Sequence, residues 1–163
     1  MSFFKKVYTI EEALAKLQKY CSYQDRCHNE VEHKLAEMRM IPEAKNKIIM
    51  SLIEQDFLNE ERFALAYVRG KFTIKKWGKT RLKAELKKRN ISTYLIKIAL
   101  KQISDEDYIA TFEEIANKKV NSIKANSILL KKKKLADYLF YKGWESSMIY
   151  QKVNQVFQDQ KTN

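Results

Sequence analysis

The chain has 163 residues, and 32 Lys and Arg against 20 Asp and Glu give it a formal net charge of +12. Hydrophobic residues make up 45%, which is enough for a buried core and argues against a disordered chain. With three glycines and one proline, the sequence lacks the turns that a β-sandwich or barrel needs. Composition therefore predicts an all-α protein, and the charge indicates an acidic partner, most often nucleic acid.

The excess positive charge is concentrated in one part of the sequence. Residues 1–70 contain 11 basic and 11 acidic residues, and residues 143–163 contain 2 of each. Residues 71–142 contain 19 basic and 7 acidic residues. Because the whole excess lies in this middle segment, we expect it to carry the contacts with an anionic partner.

The sequence shows no pattern typical of a catalytic or metal site. The glycines form no phosphate-binding loop, and no H-E-x-x-H or G-x-S-x-G motif occurs. Cys21, Cys27 and His28 do not have a zinc spacing, so we interpret the cysteines as thiols in a reducing cytoplasm. No apolar run predicts a signal peptide or a membrane span. We therefore predict a cytoplasmic protein that is not an enzyme and has no metal, cofactor or membrane contact.

The first part of the chain predicts three helices. Residues 1–8 are expected to form a loosely held arm, and Thr9 opens a T-x-x-E capping box for a helix that ends near Tyr20. Asn29 is predicted to cap the second helix. Pro42 fits the first turn of the third helix, where its missing N–H is harmless.

The second part predicts a helix, a sharp break and a basic helix. Asn59 and the acidic residues after it predict the start of the first of these helices. Trp77-Gly78 then interrupts the apolar face, and a basic helix is predicted over Lys79–Arg89. Ser92 is expected to cap a third helix. The residues expected to hold this motif together are Phe63, Tyr67, Trp77, Gly78 and Leu86.

The third part again predicts three helices. Ser104, with three acidic residues after it, is typical of a helix start. A polar link is expected over residues 119–126, and the next helix is expected to stop at Gly143. Apolar residues from Ile149 to Phe157 recur at helical spacing and predict the last helix. Residues 158–163 are expected to fray.

Pairs of apolar residues that lie five positions apart recur along the chain. Equivalent pairs are separated by 51 and then by 53 residues. We interpret this period as three tandem three-helix modules, over residues 1–57, 58–103 and 104–163, because stacked helical units repeat in this way. The pairs are Leu35 and Met40, Leu86 and Ile91, and Leu139 and Trp144.

Two stretches of the central part, LNEERFALAYVRGKF at 58–72 and KKWGKTRLKAELKKRNI at 75–91, resemble the RecX family of bacterial regulators of the RecA recombinase. The resemblance implies an elongated, curved array of three helical modules. It also implies a protein that binds the groove of the RecA–single-stranded DNA filament and mainly inhibits RecA in recombination, DNA repair and the SOS response. We also expect a monomer.

The sequence departs from the family pattern at the end of one helix. RecX proteins often have a glycine before the apolar residue that ends each middle helix, and Gly143 keeps it in the third module. Asn90 occupies this place in the second module, and asparagine tolerates the same left-handed conformation. The first module has Arg39-Met40-Ile41 and lacks the glycine, so the sequence supports the turn and the module boundary least at this place.

The residues predicted to contact the filament or DNA form three basic clusters: a turn, the basic helix after it, and a run of four lysines. Lysine suits phosphates and reads no bases. One or two of the four consecutive lysines are expected to make no contact with the partner, because such a run wraps around its helix and cannot all face one side. The predicted binding residues are Lys71, Lys75, Lys76, Lys79, Arg81, Lys83, Lys87, Lys88, Arg89, Lys131, Lys132, Lys133 and Lys134.

Two other functions remain open at this stage. A basic protein of this kind could bind DNA without sequence preference and without RecA. Helices over Lys79–Arg89 and Thr93–Gln102 would also fit a helix-turn-helix that binds an operator. The second helix of that pair, however, is mostly apolar and offers few polar groups to base edges.

Overall fold

The computed structural model describes residues 6–158, which fold into nine α-helices and contain no strand. Residues 1–5 and 159–163, which include most of the predicted arm and frayed end, lie outside the described residues. The all-α prediction is confirmed. In chain order the helices are α1 (Ile10–Tyr23), α2 (His28–Glu37), α3 (Pro42–Glu54), α4 (Glu60–Lys75), α5 (Lys79–Lys88), α6 (Thr93–Leu100), α7 (Asp105–Ser122), α8 (Ile128–Lys142) and α9 (Ser146–Gln158).

Side-chain caps fix most of the helix starts. The Asn59 side chain accepts a hydrogen bond from the backbone N–H three residues later (2.9 Å), as predicted. Thr9, Ser92 and Ser104 cap α1, α6 and α7 in the same way. Ser127 caps α8, although sequence analysis did not single it out.

The prediction that Asn29 caps α2 is wrong. This helix begins one residue earlier, at His28, and its N-cap is the buried Cys27, which makes no side-chain cap. The Asn29 amide instead donates to the Lys88 carbonyl oxygen (3.5 Å) and accepts from the Asn90 amide (3.1 Å). Its polar groups therefore bridge distant helices, a role that local spacing does not reveal.

Several helix ends differ from the predictions. Helix α1 continues to Tyr23, past the predicted end at Tyr20, because Cys21 extends its buried face. Helix α7 continues to Ser122, into the predicted polar link, because Val120 still packs on the core. Helices α5 and α6 end one and two residues earlier than predicted.

The helices pack in consecutive threes. The extensive contacts between described helices all lie within α1–α3, α4–α6 or α7–α9, and we call these groups modules 1, 2 and 3. The boundaries at 1–57, 58–103 and 104–163 stay a prediction. Module 1 has an apolar core of its own, whereas modules 2 and 3 share one, into which the buried Cys27 at the start of α2 also packs.

The same left-handed turn ends the middle helix of every module. Arg39, Asn90 and Gly143 have φ angles of 57°, 57° and 88°. In each turn the next residue donates its N–H to the carbonyl oxygen five residues before it. The turn thus forms in module 1 as well, although an arginine rarely adopts this conformation. Packing of Met40 against the module 1 core favours it there.

Candidate nucleic-acid interface

A backbone contact between two turns fixes the position of the basic helix α5. The Gly78 N–H donates to the Lys142 carbonyl oxygen (2.8 Å), and the Thr80 N–H donates to the Gly143 carbonyl oxygen (3.1 Å). A Cβ on Gly78 would lie 2.3 Å from that oxygen of Gly143, and a Cβ on Gly143 would lie 2.1 Å from Arg81 Cβ. Because neither place has room for a side chain, the two glycines allow the turns to interlock. Module 3 therefore holds the first turn of α5.

Buried side chains reinforce this contact, which we call the module 2–3 junction. The Tyr108 hydroxyl donates to Glu145 Oε2 (2.6 Å) and accepts from the Lys79 N–H (2.9 Å). Burial, and then the hydrogen bond to Glu145, raise the pKa of Tyr108 well above its usual value, so the hydroxyl keeps its proton. The Trp144 indole N–H donates to the Lys76 carbonyl oxygen (3.2 Å).

Arg81 of α5 and the residue that caps its C-terminus, Arg89, are engaged in contacts within the chain. Arg81 Nη1 donates to the Tyr141 carbonyl oxygen (2.9 Å), and its guanidinium carbon lies 4.0 Å from the centroid of the Trp77 ring. Arg89 Nη1 lies 3.1 Å from Glu85 Oε2. The hydrogen bond from Arg89 is the main cause that lowers the pKa of the Glu85 carboxyl. The lysines of α5 are therefore its outward cations.

Lysines from α5 and α6 line an open groove between these two helices. The groove has a volume of about 680 Å³, and Ile96, Leu100 and Ile103 contribute its apolar lining. Three lysines of α5, at positions 79, 83 and 87, are spaced four residues apart and so share one face, and Lys97 of α6 and its C-cap Lys101 have the same spacing. We call this site the lysine groove and define it by Lys79, Lys83, Lys87, Lys97 and Lys101.

The lysine groove carries a high density of positive charge. None of its five lysines forms a salt bridge with another residue in the range 6–158. Asp105, at the start of α7, is the acidic residue of the lining. Neighbouring ammonium groups repel one another, and a chain of phosphates would relieve that repulsion. The groove therefore has the electrostatic character of a site for a nucleic-acid backbone.

Three of the predicted binding residues lie near the end of α4, outside the lysine groove. The Lys71 ammonium lies 5.2 Å from the centroid of the Trp77 ring. Lys76 ends α4 with a φ of 58°, and its ammonium lies 3.9 Å from Glu114 Oε2. Lys75 is exposed on the last turn of α4. These residues border the module 2–3 junction.

The run Lys131–Lys134 lies on α8, in module 3, and is also separate from the lysine groove. Lys133 Nζ lies 2.8 Å from Asp137 Oδ2, so its charge is partly neutralised. The Lys134 ammonium donates to the Lys124 carbonyl oxygen (2.8 Å). Lys131 and Lys132 are half-buried.

The structure thus brings only some of the predicted binding residues together. Lys79, Lys83 and Lys87 line the groove, whereas Lys88 lies on another face of α5 and its ammonium is 3.3 Å from Glu85 Oε1. Sequence analysis missed Lys97 and Lys101. Their spacing of four residues was the available signal, but most of the residues around them are apolar, a pattern that indicates packing and not binding.

The residues expected to hold the central motif together lie where α4 meets α5. Phe63 and Leu86 are buried in the core that modules 2 and 3 share. The ring centroids of Tyr67 and Trp77 are 6.4 Å apart, and both rings pack against that core. This aromatic contact supports the face of α5 that points away from the lysine groove.

Two kinds of site are not found among the described residues. No group of three or more His, Cys, Asp or Glu side chains in residues 6–158 is placed to hold a metal ion. Over the same range, no helix is both long enough and apolar enough to cross a membrane.

Comparison with protein families decides which family the chain belongs to. A model described as the second three-helix domain of RecX matches residues 59–100, and a model described as the third matches residues 105–153. The chain belongs to the RecX family. The first match contains nearly all of both stretches, 58–72 and 75–91, that carry the resemblance in the sequence.

Curated relatives carry the same family name. The chain is 26% identical over 140 residues to the regulatory protein RecX of Bacillus cytotoxicus and 25% identical over the same length to that of Bacillus cereus. Each alignment covers 86% of this chain and 52% of the relative. The chain therefore spans about half the length of these RecX relatives.

Solved RecX structures have the same arrangement of helices. The crystal structure of RecX from Lactobacillus salivarius is 27% identical, with a TM-score of 0.75, and the match covers 90% of this chain and 95% of that one. A second crystal structure, of a regulatory protein RecX, is 23% identical with a TM-score of 0.74 and coverage of 92% and 73%, and it supports the fold alone. Both confirm an all-helical repeat fold.

Proposed function

We propose that this protein regulates the RecA recombinase, mainly as an inhibitor, by binding in the groove of the RecA–single-stranded DNA filament. Membership of the RecX family supports the regulatory role. The observation that carries the binding proposal is the lysine groove, in which five lysines form no salt bridge with a described residue. The protein would act as a cytoplasmic monomer, without a cofactor and without catalysing a reaction.

A row of helical modules suits a partner that repeats along an axis. Each module makes a modest contact, and linked contacts reinforce one another through effective concentration. The lysine groove would meet the phosphates of the exposed strand or an acidic surface of the filament. A protein bound in this way would occlude the groove and thereby limit strand exchange, ATP hydrolysis and co-protease activity.

A filament-binding titration tests this proposal. The variant replaces Lys83, Lys87, Lys97 and Lys101 with glutamine, and we expect filament binding to weaken by at least about tenfold, because each lost phosphate contact removes favourable charge pairing. Strand exchange should then be restored. The measurements are the dissociation constant from fluorescence anisotropy and the yield of exchanged strands.

A matched control separates the groove from net charge. Lysines that are exposed on other helices are replaced with glutamine in equal number, so that the total charge changes by the same amount. If the control variant weakens filament binding as much as the groove variant does, then filament binding depends only on the net charge of the protein. Normal strand exchange with excess wild-type protein would refute the proposal itself. The control positions are Lys19, Lys47, Lys118 and Lys16.

The lysine groove also favours a second function, non-specific DNA binding that does not require RecA. This function predicts binding to bare single-stranded DNA with a logarithmic salt slope of about −0.7 for each phosphate neutralised. The quadruple glutamine variant should flatten that slope. If bare DNA binds weakly at about 0.15 M salt while filament binding persists, the second function is excluded.

A further inference from the structure

The groove between the middle and last helices has different chemistry in modules 2 and 3. Asn90 and Gly143 occupy equivalent turns, 53 residues apart, and the same offset relates α5 and α6 to α8 and α9. Two lysines that line the lysine groove, Lys87 and Lys97, thereby correspond to Phe140 and Tyr150. Module 3 therefore has aromatic rings where module 2 has cations.

The corresponding groove of module 3 is apolar. It has a volume of about 660 Å³, and we call it the apolar groove, defined by Leu129, Leu130, Ala136, Tyr150 and Val153, with Lys132 and Lys133 also in its lining. Leu129 is 79% exposed and Tyr150 is 56% exposed. Side chains this apolar rarely cluster in the open on a monomer unless a partner covers them.

One additional helical turn builds part of this groove. Helix α5 begins at Lys79, which corresponds to Lys132, but α8 begins four residues earlier, at Ile128. The additional turn places Leu129 and Leu130 in the groove. In module 2 the equivalents of Leu129 and Leu130 are Lys76 and Trp77, and Trp77 packs against the shared core, whereas Leu129 is exposed.

The start of the middle helix is also the place where one module meets the next. At the start of α2, the Asn29 amide donates to the Lys88 carbonyl oxygen of module 2. At the start of α5, the Thr80 N–H donates to the Gly143 carbonyl oxygen of module 3. The start of α8 is the equivalent surface of the last module, and no module follows it among the described residues. The apolar groove is therefore continuous with the surface that the repeat uses for contacts.

The charge around the apolar groove favours an acidic occupant. Helix α8 has no acidic residue in its first turn and continues into Lys131–Lys134. The positive end of the helix dipole adds to the charge of these lysines. Lys133 pairs with Asp137, but Lys131 and Lys132 form no salt bridge with a described residue.

We propose that the apolar groove docks an acidic amphipathic helix of a partner protein. The apolar stripe of that helix would cover Leu129 and Tyr150, and its carboxylates would face Lys131 and Lys132. The inference goes beyond the proposed function, since it assigns a partner class to a surface other than the lysine groove. It can hold or fail whether or not the RecA filament is the physiological target.

Nucleic acid and a second copy of the chain fit this groove less well. Leucine side chains offer no π-face for a base, and the rings of Phe140 and Tyr150 pack edge to face with centroids 5.7 Å apart, so one of the four ring faces is already covered. A second copy would offer its remaining left-handed turn, where Arg39 would approach Lys131–Lys134. Like charges at that contact disfavour self-association.

A peptide titration tests the proposal with the intact protein. The probe is a fluorescein-labelled amphipathic peptide of about 18 residues with leucines on one face and glutamates on the other. We expect saturable binding and an affinity that falls by about tenfold or more in Leu129→Glu, which places a carboxylate in the apolar groove. The readout is fluorescence anisotropy at low and high salt.

Two controls make the result specific. Ile74→Glu changes an apolar residue on α4 that is 76% exposed and should leave peptide binding unchanged. A peptide with lysines in place of the glutamates should bind far more weakly to the wild type. Equal binding of both peptides, or equal loss in both variants, would overturn the proposal.

The other occupants would give distinct outcomes. If Leu129→Glu weakens binding of a labelled single-stranded oligonucleotide more than it weakens peptide binding, the groove is a nucleic-acid site and the proposal fails. If sedimentation shows a wild-type dimer that Leu129→Glu dissociates, the occupant is a second copy and the proposal also fails. A monomer whose oligonucleotide binding is unchanged by the variant supports the acidic helix.

Discussion

The two junctions between modules are built from different kinds of contact. Modules 2 and 3 share one apolar core, and their turns meet backbone to backbone through Gly78 and Gly143. The main cores of modules 1 and 2 are separate, although the buried Cys27 at the start of α2 belongs to the core of modules 2 and 3, and polar side chains also link the two modules. His28 Nδ1 lies 3.0 Å from Glu60 Oε1, and Arg62 Nε donates to an oxygen of Asp25 (2.7 Å).

This difference indicates which junction should respond to salt concentration and pH. Backbone hydrogen bonds and buried apolar area at the module 2–3 junction carry no net charge, so salt and pH near neutrality affect them little. Ion pairs between partly exposed side chains are weakened by salt and depend on protonation. We therefore expect modules 2 and 3 to behave as one rigid unit. We expect the attachment of module 1 to module 2 to weaken or strengthen with salt concentration and pH.

The largest expected effect is that of Gly143→Ala, which should destabilise the protein by about 3 kcal/mol or more. The new Cβ would meet Arg81 Cβ at 2.1 Å, and the φ of 88° is unfavourable for any L side chain. The measurement is urea unfolding followed by circular dichroism.

Gly70→Ala is the matched control for this substitution. Gly70 lies within α4, and a Cβ there would have no atom within 4 Å, so the variant should be more stable by about 0.5–1 kcal/mol. Comparable stability losses in both variants would contradict the interlocked turns.

Tyr108→Phe should have the next largest effect, a loss of about 1–2 kcal/mol. It leaves the Lys79 N–H and the Glu145 carboxylate without their buried partner while preserving the ring packing. Tyr94→Phe, at an exposed tyrosine of α6, is the control and should change stability by less than about 0.5 kcal/mol. The free energy of unfolding of the two variants decides whether the hydroxyl contributes to the module 2–3 junction.

The sequence predicted what short-range chemistry determines. Asn59, Ser92 and Ser104 cap their helices because the bond that each makes reaches only three residues along the chain. Gly143 ends α8 in the left-handed conformation for an equally local reason. The repeat could also be read from the sequence, since Leu35, Leu86 and Leu139, the first members of the recurring pairs, are all fully buried.

The sequence did not predict what depends on residues far apart. The partner of Gly78 is a turn some sixty residues later, and nothing near Gly78 identifies it. The left-handed turn at Arg39 follows from packing within module 1 and not from its own side chain. In the lysine groove, Lys97 was missed because only the fold places α6 beside the lysines of α5. The apolar groove was missed because sequence alone does not show which face of α8 is covered.

At the junction of modules 1 and 2, Arg62→Ala should destabilise module 1 by about 1 kcal/mol at low salt. Arg62 bridges Asp25 and Asp56, and the hydrogen bond with Asp25 is the main cause that raises the pKa of its guanidinium. The loss should shrink at about 1 M salt because the ion pairs are then screened. Hydrogen exchange of α1–α3 is the measurement.

Arg69→Ala is the control for this prediction, since Arg69 donates to an amide oxygen of Gln102 and forms no salt bridge with a described residue. Its effect should not depend on salt. A salt-independent loss in Arg62→Ala would mean that Arg62 acts through packing of its side chain.

The smallest expected effect is a pH dependence of the same junction through His28. The hydrogen bond with Glu60 is the main cause that raises the pKa of His28, burial opposes it, and the charge of Glu32 adds to the rise. Because the folded pKa lies above the unfolded value, the protonated imidazole favours the folded state. That contribution is complete below about pH 6.5 and is lost as the pH rises through the folded pKa.

His28→Gln should therefore lower stability by a few tenths of a kcal/mol, about 0.3, near pH 6 and by almost nothing near pH 9, since both side chains are partly exposed to solvent. His33→Gln, on the same helix but exposed and without a salt bridge to a described residue, is the matched control. Urea midpoints of the wild type and both variants across this range give the comparison. If the urea midpoints of His28→Gln equal those of the wild type at every pH, then protonation of His28 does not stabilise the contact between modules 1 and 2. The salt-sensitive part of that contact would then come from Arg62 alone.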